Sequence, residues 1–174
     1  MVGNVLNRTT KEYIVNVEMD NYPAEDWIHD PDMSEVDLDW PRYWVIDGDT
    51  VSEMTLVDQQ ALDAPGLVAC VTSKIQQLDK DIETYVDTRY PTRRLLNFLM
   101  LHLEAVDLSY TNRKTYLAQL RTWVKSVTAH FYTARNALMG MTTFRQVEAY
   151  DFNLTQFDVT DPLVAVETAI AMED

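Results

Sequence analysis

Two runs of apolar residues spaced alternately by three and four constrain this chain more than any other feature. Val68, Val71, Ile75, Leu78, Ile82, Tyr85 and Arg89 form the first; Leu117, Leu120, Val124, Val127, Phe131, Ala134 and Leu138 form the second. That spacing keeps successive side chains on one stripe of an α-helix, the stripe that must find a partner. Seams of about three heptads have two outlets. They pack against each other within one domain, or one of them self-associates in a symmetric oligomer. Between the runs, Tyr90-Pro91 stops the first helix, because proline disfavours helical backbone at the residue before it. Residues 92–106 then carry Leu95, Leu96, Phe98, Leu99, Met100, Leu101 and Leu103, apolar on nearly every side, as a central core helix would be.

Punctuation sets the remaining helical expectations. Pro65 suits an early helix position, where its missing N–H costs nothing, and Gly140 suits a C-cap after the second seam. Thr143 with Gln146 three residues on is a capping-box pattern for a short helix to about Tyr150. Asp161-Pro162 opens a last short helix near 163–172.

The first 60 residues read differently. Tyr13, Val15 and Val17 alternate as in a strand. The stretch from Asn21 to Pro41, with Pro23, Pro31 and Pro41 among many Asp, reads as extended and irregular. Asp47-Gly48-Asp49 between Tyr43-Trp44-Val45-Ile46 and Thr50-Val51 predicts a β-hairpin over about 43–54, with Thr55 as the following N-cap. The fold expected is therefore mainly α: a helical bundle over 61–174, with residues 1–60 as an acidic extended arm carrying one small hairpin. Only 4 glycines in 174 residues agree with helices rather than a loop-rich sandwich.

Charge is segregated along the chain. Through Ala64 there are 15 acidic and 3 basic residues, net −12; beyond it 13 acidic and 11 basic residues give −2, together the −14 of the whole chain. Proteins are driven onto phosphate backbones and anionic membranes by clustered Lys and Arg, so the expectation is no nucleic-acid partner and no membrane. The acidic half is either a solvated surface or an arm lying on a basic partner. No apolar run reaches membrane-spanning length, and the first residues lack the basic-then-apolar order of a secretory signal. Cys70 alone excludes an intrachain disulfide and reads as a small buried apolar residue.

Constellations for chemistry are lacking, and the expectation is a docking protein without enzymatic activity, cofactor or metal. Asp30, Asp32, Glu35, Asp37 and Asp39 crowd together, but without the Gly and terminal Glu that a calcium loop needs. His29, His102 and His130 are scattered, and none belongs to an i, i+4 zinc pair. The aromatics are more informative. Tyr22, Trp27, Trp40, Tyr43 and Trp44 fall within 23 residues of an arm judged too short for a core of its own. They either pack onto the helices or anchor in grooves of a neighbouring subunit. Arg89, Arg93 and Arg94, with Arg113 and Lys114 after the next loop, form a basic cluster as a second candidate contact.

Three patches, NYPAEDWIHDPDMSEV, YWVIDGDTVSEMT and DFNLTQFDVTDPLV, resemble small structural proteins of tailed bacteriophages. The resemblance implies a virion component of the neck, tail or fibre-attachment region. Such a component would contact other virion subunits, self-associate in a symmetric assembly, and pass through the host cytoplasm during assembly. A tail-fibre assembly chaperone and a head-decoration protein are the alternative roles. It carries over no functional residues.

Overall fold

The computed structural model describes residues 1–89, 100 and 111–158. The chain divides into two compact units, Met1–Pro65 and Gly66–Asp174. Apart from Met100, which is helical, the expected core helix over 92–106 lies outside the described residues, as do its stop at Tyr90-Pro91, Arg93, Arg94, His102 and the helix near 163–172.

Met1–Pro65 is a folded unit with its own core, which overturns the extended arm and, with it, the mainly-α helical bundle. The architecture is α+β. Strands β1 (Val2–Asn7), β2 (Tyr13–Glu18) and β3 (Trp27–His29) form an antiparallel sheet in the order β2-β1-β3. A second sheet is the hairpin of β4 (Trp44–Asp47) and β5 (Thr50–Glu53). Its two-residue loop has positive φ at Gly48, as a type II′ turn requires.

The strand read at Tyr13, Val15 and Val17 is β2, but its partners β1 and β3 escaped the pattern reading, and β2 itself is irregular. Between Gly3↔Val17 and Val5↔Ile14 the register shifts by a bulge, which breaks the period-2 alternation that marks a strand. Asn16 absorbs it with φ 58°, a left-handed conformation that Asn tolerates, and donates its N–H to Asn4 Oδ1 at 3.2 Å. Val15, which alternates with half-buried Tyr13 and Val17, is exposed. Three-residue β3 is too short to show any period.

Leu6 of β1, Ile28 of β3, Trp44 of β4 and Val51 of β5 make the core, with Tyr13, Met33, Val36 and Ile46 packed against it. Both sheets thus bury one face in common. Two of the crowded Asp residues hold turns, Asp32 Oδ1 accepting from Ser34 N and Asp37 Oδ1 from Asp39 N, each at 3.0 Å, while Asp30 Oδ1 accepts from the distant Asn4 N at 2.8 Å. Short Asp side chains do this readily, so they favour turns over helix.

Helix α1 (Leu56–Arg89) starts at Thr55, whose hydroxyl accepts from Asp58 N and donates to Asp58 Oδ2. Pro65 is consequently interior to α1, not near its start. The capped turn and the helix formers before Pro65 outweigh the one backbone hydrogen bond it deletes.

In Gly66–Asp174, α1 runs with α2 (Thr111–Met139), followed by α3 (Phe144–Glu148) and a 3-10 turn at Thr155–Phe157. Residues of both heptad seams share two clusters. Leu117, Leu120, Trp123 and Val127 pack with Ile82 and Tyr85; Ala134 and Leu138 pack with Leu78, Ile75 and Val71. Val68, the first seam residue, instead stands 78% exposed. Gly140 follows α2 without left-handed backbone; 3.1 Å bonds from Gly140 N to Ala137 O and Met141 N to Leu138 O tighten that end. The Thr143–Gln146 capping box is formed in both directions.

Candidate functional site

Each unit presents one surface suited to contact. In Met1–Pro65 the five aromatics separate into two sets. Tyr43 (0% exposed) and Trp44 (2%) are buried, so they cannot serve as anchors for a partner. Tyr43 closes a 3-10 turn opened by Pro41, and Trp44 begins β4. Trp44 donates Nε1–H to Asp37 O at 2.9 Å. Tyr43 donates its hydroxyl proton to Asp63 Oδ2 at 2.5 Å, and Arg42 Nη2 lies 2.9 Å from Asp63 Oδ1. Asp63 is fully buried on α1, so this trio ties the 3-10 turn that leads into the hairpin to the helix. No motif foretold it; a single Asp among helix residues carries no signal that its face is buried.

Tyr22, Trp27 and Trp40 remain half exposed. Tyr22 meets Trp27 edge-on at 4.8 Å, and Trp40 stacks on Tyr43 at 5.5 Å. Trp27 opens into a cleft of about 300 Å³, lined also by Arg8, His29, Asp30, Asp32 and Asp49. Ser34, through its side chain first and its backbone N–H second, holds the Asp32 carboxyl below its ordinary pKa. That carboxylate is ionised at any physiological pH.

The cations of this unit are committed internally. Arg8 pairs with Asp49 at 2.5 Å and donates to Gly48 O and Ala24 O. Arg42 serves Asp63. Lys11 donates to Trp44 O and, at 3.4 Å, to Arg42 O, and partial burial pulls its pKa down. Most of the unit's 15 acidic residues are exposed, and Asp30, Asp32 and Asp49 line the cleft beside Trp27.

In Gly66–Asp174 a groove of about 620 Å³ opens between α1 and α2. Val71, Ile75 and Phe131 are half-buried in it, while Val68 (78% exposed), Tyr132 (54%) and Met139 (63%) stand in solvent. Sequence spacing missed this surface, because a seam position reads as buried whether or not a partner reaches it. A second hollow, of about 750 Å³, has Thr115, Gln119, Thr122 and Ser126 in its wall. Its one Trp is buried, with Nε1–H donated to Phe157 O at 3.0 Å, and half-buried Phe157 completes that wall.

Arg89 is engaged within its unit: it pairs with Asp158 and lies 3.8 Å over the Tyr85 ring. Tyr85 also donates to Asp158 Oδ1 at 2.7 Å. Lys114 is half-buried in α2. His130 stacks on Phe152 at 4.9 Å, with its Nε2 3.0 Å from Gln156 Nε2, as a packed imidazole does. Among the described residues no group of three or more His, Cys, Asp or Glu converges as metal ligands, and no helix is long and apolar enough to cross a membrane. Comparison with models of known protein families, with curated proteins and with solved structures finds no match to this chain.

Proposed function

We propose that this chain is a non-enzymatic structural component of a tailed-bacteriophage particle, in which Met1–Pro65 docks onto a basic surface of a neighbouring virion subunit. One observation carries the docking reading: Arg8, Lys11 and Arg42 are all engaged inside a unit of net charge −12, while exposed Asp30 and Asp32 line the cleft of half-exposed Trp27. The Trp27 cleft suits a partner Lys or Arg. The indole face attracts a cation, and Asp30 and Asp32 beside it supply carboxylate acceptors. Aromatics of this kind are frequent interface anchors, and charge of one sign speeds encounter with the opposite sign. The resemblance of the Pro/Trp and hairpin patches supports the neck, tail or fibre-attachment region as the setting.

The test is incorporation into particles. Mass spectrometry of purified phage encoding this chain should find it in the mature particle. Trp27→Ala and Asp32→Lys should lower its copy number while the isolated protein melts nearly as before. A chain confined to assembly intermediates would instead support the chaperone role, and normal incorporation of both variants would remove the acidic face as the docking element.

A further inference from the structure

We propose that the groove between α1 and α2 is the seat of a second copy of this chain, in a two-fold symmetric pair. The inference is independent of how Met1–Pro65 docks, because it rests on the other unit.

The groove continues an existing helix–helix seam. Leu78, Ile82 and Tyr85 of the first heptad stripe pack in clusters with α2 residues, whereas Val68, nearly three turns before Leu78 on the same stripe, is bare. Val68, Tyr132 and Met139 stand in solvent beside the half-buried Val71, Ile75 and Phe131. The result is one continuous apolar surface, and an apolar patch rimmed by polar groups marks an interaction site.

Charge selects the occupant. A two-fold interface brings the same surface of both copies together, so it must be complementary to itself. Met1–Pro65, at net −12, cannot meet that condition, since two copies would repel. Gly66–Asp174 has a net charge of only −2. Its groove carries one acid, Asp79 on α1, and one base, Arg135 on α2, both exposed. Among the described residues neither enters an ion pair. Two copies related by a two-fold axis would place Asp79 of each against Arg135 of the other, giving two identical pairs across an apolar centre.

Sedimentation equilibrium of the full chain over a range of concentrations tests this. The wild type should be a dimer at tens of micromolar. Val68→Asp and Tyr132→Glu should each give a monomer with an unchanged melting curve, because both side chains already face solvent. Asp79→Arg and Arg135→Asp should each weaken the dimer about tenfold or more, by setting like charges face to face, and the double reversal should restore it. A wild-type monomer at every concentration would overturn the proposal. So would a dimer indifferent to Val68→Asp and Tyr132→Glu, or a fall in melting temperature without a change in mass, which would mean that residues 90–110 or 159–174 of the same chain fill the groove. Failure of the double reversal to restore the dimer would also refute the stated pairing.

Discussion

Replacing Tyr43 by Phe tests the buried trio of Arg42, Tyr43 and Asp63. The substitution leaves the ring in place and removes only a hydroxyl that donates to Asp63 Oδ2 at 2.5 Å. Hydrogen bonds to an ionised acceptor contribute about 1.5–3 kcal/mol. Here the upper half of that range applies, because both residues are 0% exposed and water cannot replace the lost donor. The expected loss is therefore about 2–3 kcal/mol, a large part of what a unit of this size has in total. In an Asp63→Asn background the same change should cost about 1 kcal/mol or less, since the acceptor is then neutral. Removing all charge and polarity together, as Arg42→Met/Tyr43→Phe/Asp63→Leu, should recover most of the loss, because the desolvation cost of the carboxylate disappears. Urea denaturation followed by tryptophan fluorescence measures these values. A Trp123→Phe background makes the signal report Met1–Pro65, where the other three of the four Trp reside. A Tyr43→Phe loss below about 0.5 kcal/mol, or the same loss with Asp63→Asn present, would refute the coupling.

Gly3→Ala should destabilise Met1–Pro65 by about 1–3 kcal/mol in the same assay, because an added Cβ would come 2.5 Å from Asp30 Oδ1 and 2.7 Å from Met19 Sδ. Leu138→Ala removes a side chain with no exposure from the α1–α2 cluster and should cost about 2–5 kcal/mol, read as a fall in the helical circular-dichroism midpoint. Asp32, whose folded pKa is lowered, favours the fold above the ordinary carboxyl value of 3.8 and loses that contribution as pH falls through its lower folded value. An NMR titration should place it below 3.8 in the wild type and higher in Ser34→Ala; equal values in the two proteins would show that Ser34 is not the cause.

Helical seams were legible because a 3-4 spacing is a local property that needs no knowledge of the partner. Val71 through Tyr85 and Leu117 through Leu138 lie in the shared clusters for that reason. Where a seam loses its cover is not local, and nothing in the spacing distinguishes exposed Val68 from buried Leu78. The three-stranded sheet failed for a different reason. Its central strand buries the adjacent Val5 and Leu6, and β3 has three residues, so neither shows alternation. Once that sheet is missed, Tyr43 and Trp44 have no core to enter and read as exposed anchors. Adjacent residues of one strand point to opposite faces, yet both are buried, because Tyr43 belongs to the 3-10 turn and only Trp44 to β4.

The charge division was legible from counting alone, but its consequence depends on the geometry of three cations. Had Arg8, Lys11 and Arg42 been without partners inside the unit, the acidic unit would have been a mosaic able to meet its own copy. With all three engaged within the unit, like charge opposes that contact, and self-association falls to the nearly neutral Gly66–Asp174. Salt therefore separates the two proposed contacts. Docking of Met1–Pro65 on a basic partner is a contact of opposite exposed charges and should weaken as salt rises. Pairing through the apolar groove has the opposite balance: screening relieves repulsion between two acidic chains, while only the Asp79–Arg135 pairs lose strength. Raising salt should then detach the chain from its neighbour while holding or tightening the dimer. Loss of both together would place the self-contact on charge rather than on Val68, Tyr132 and Met139.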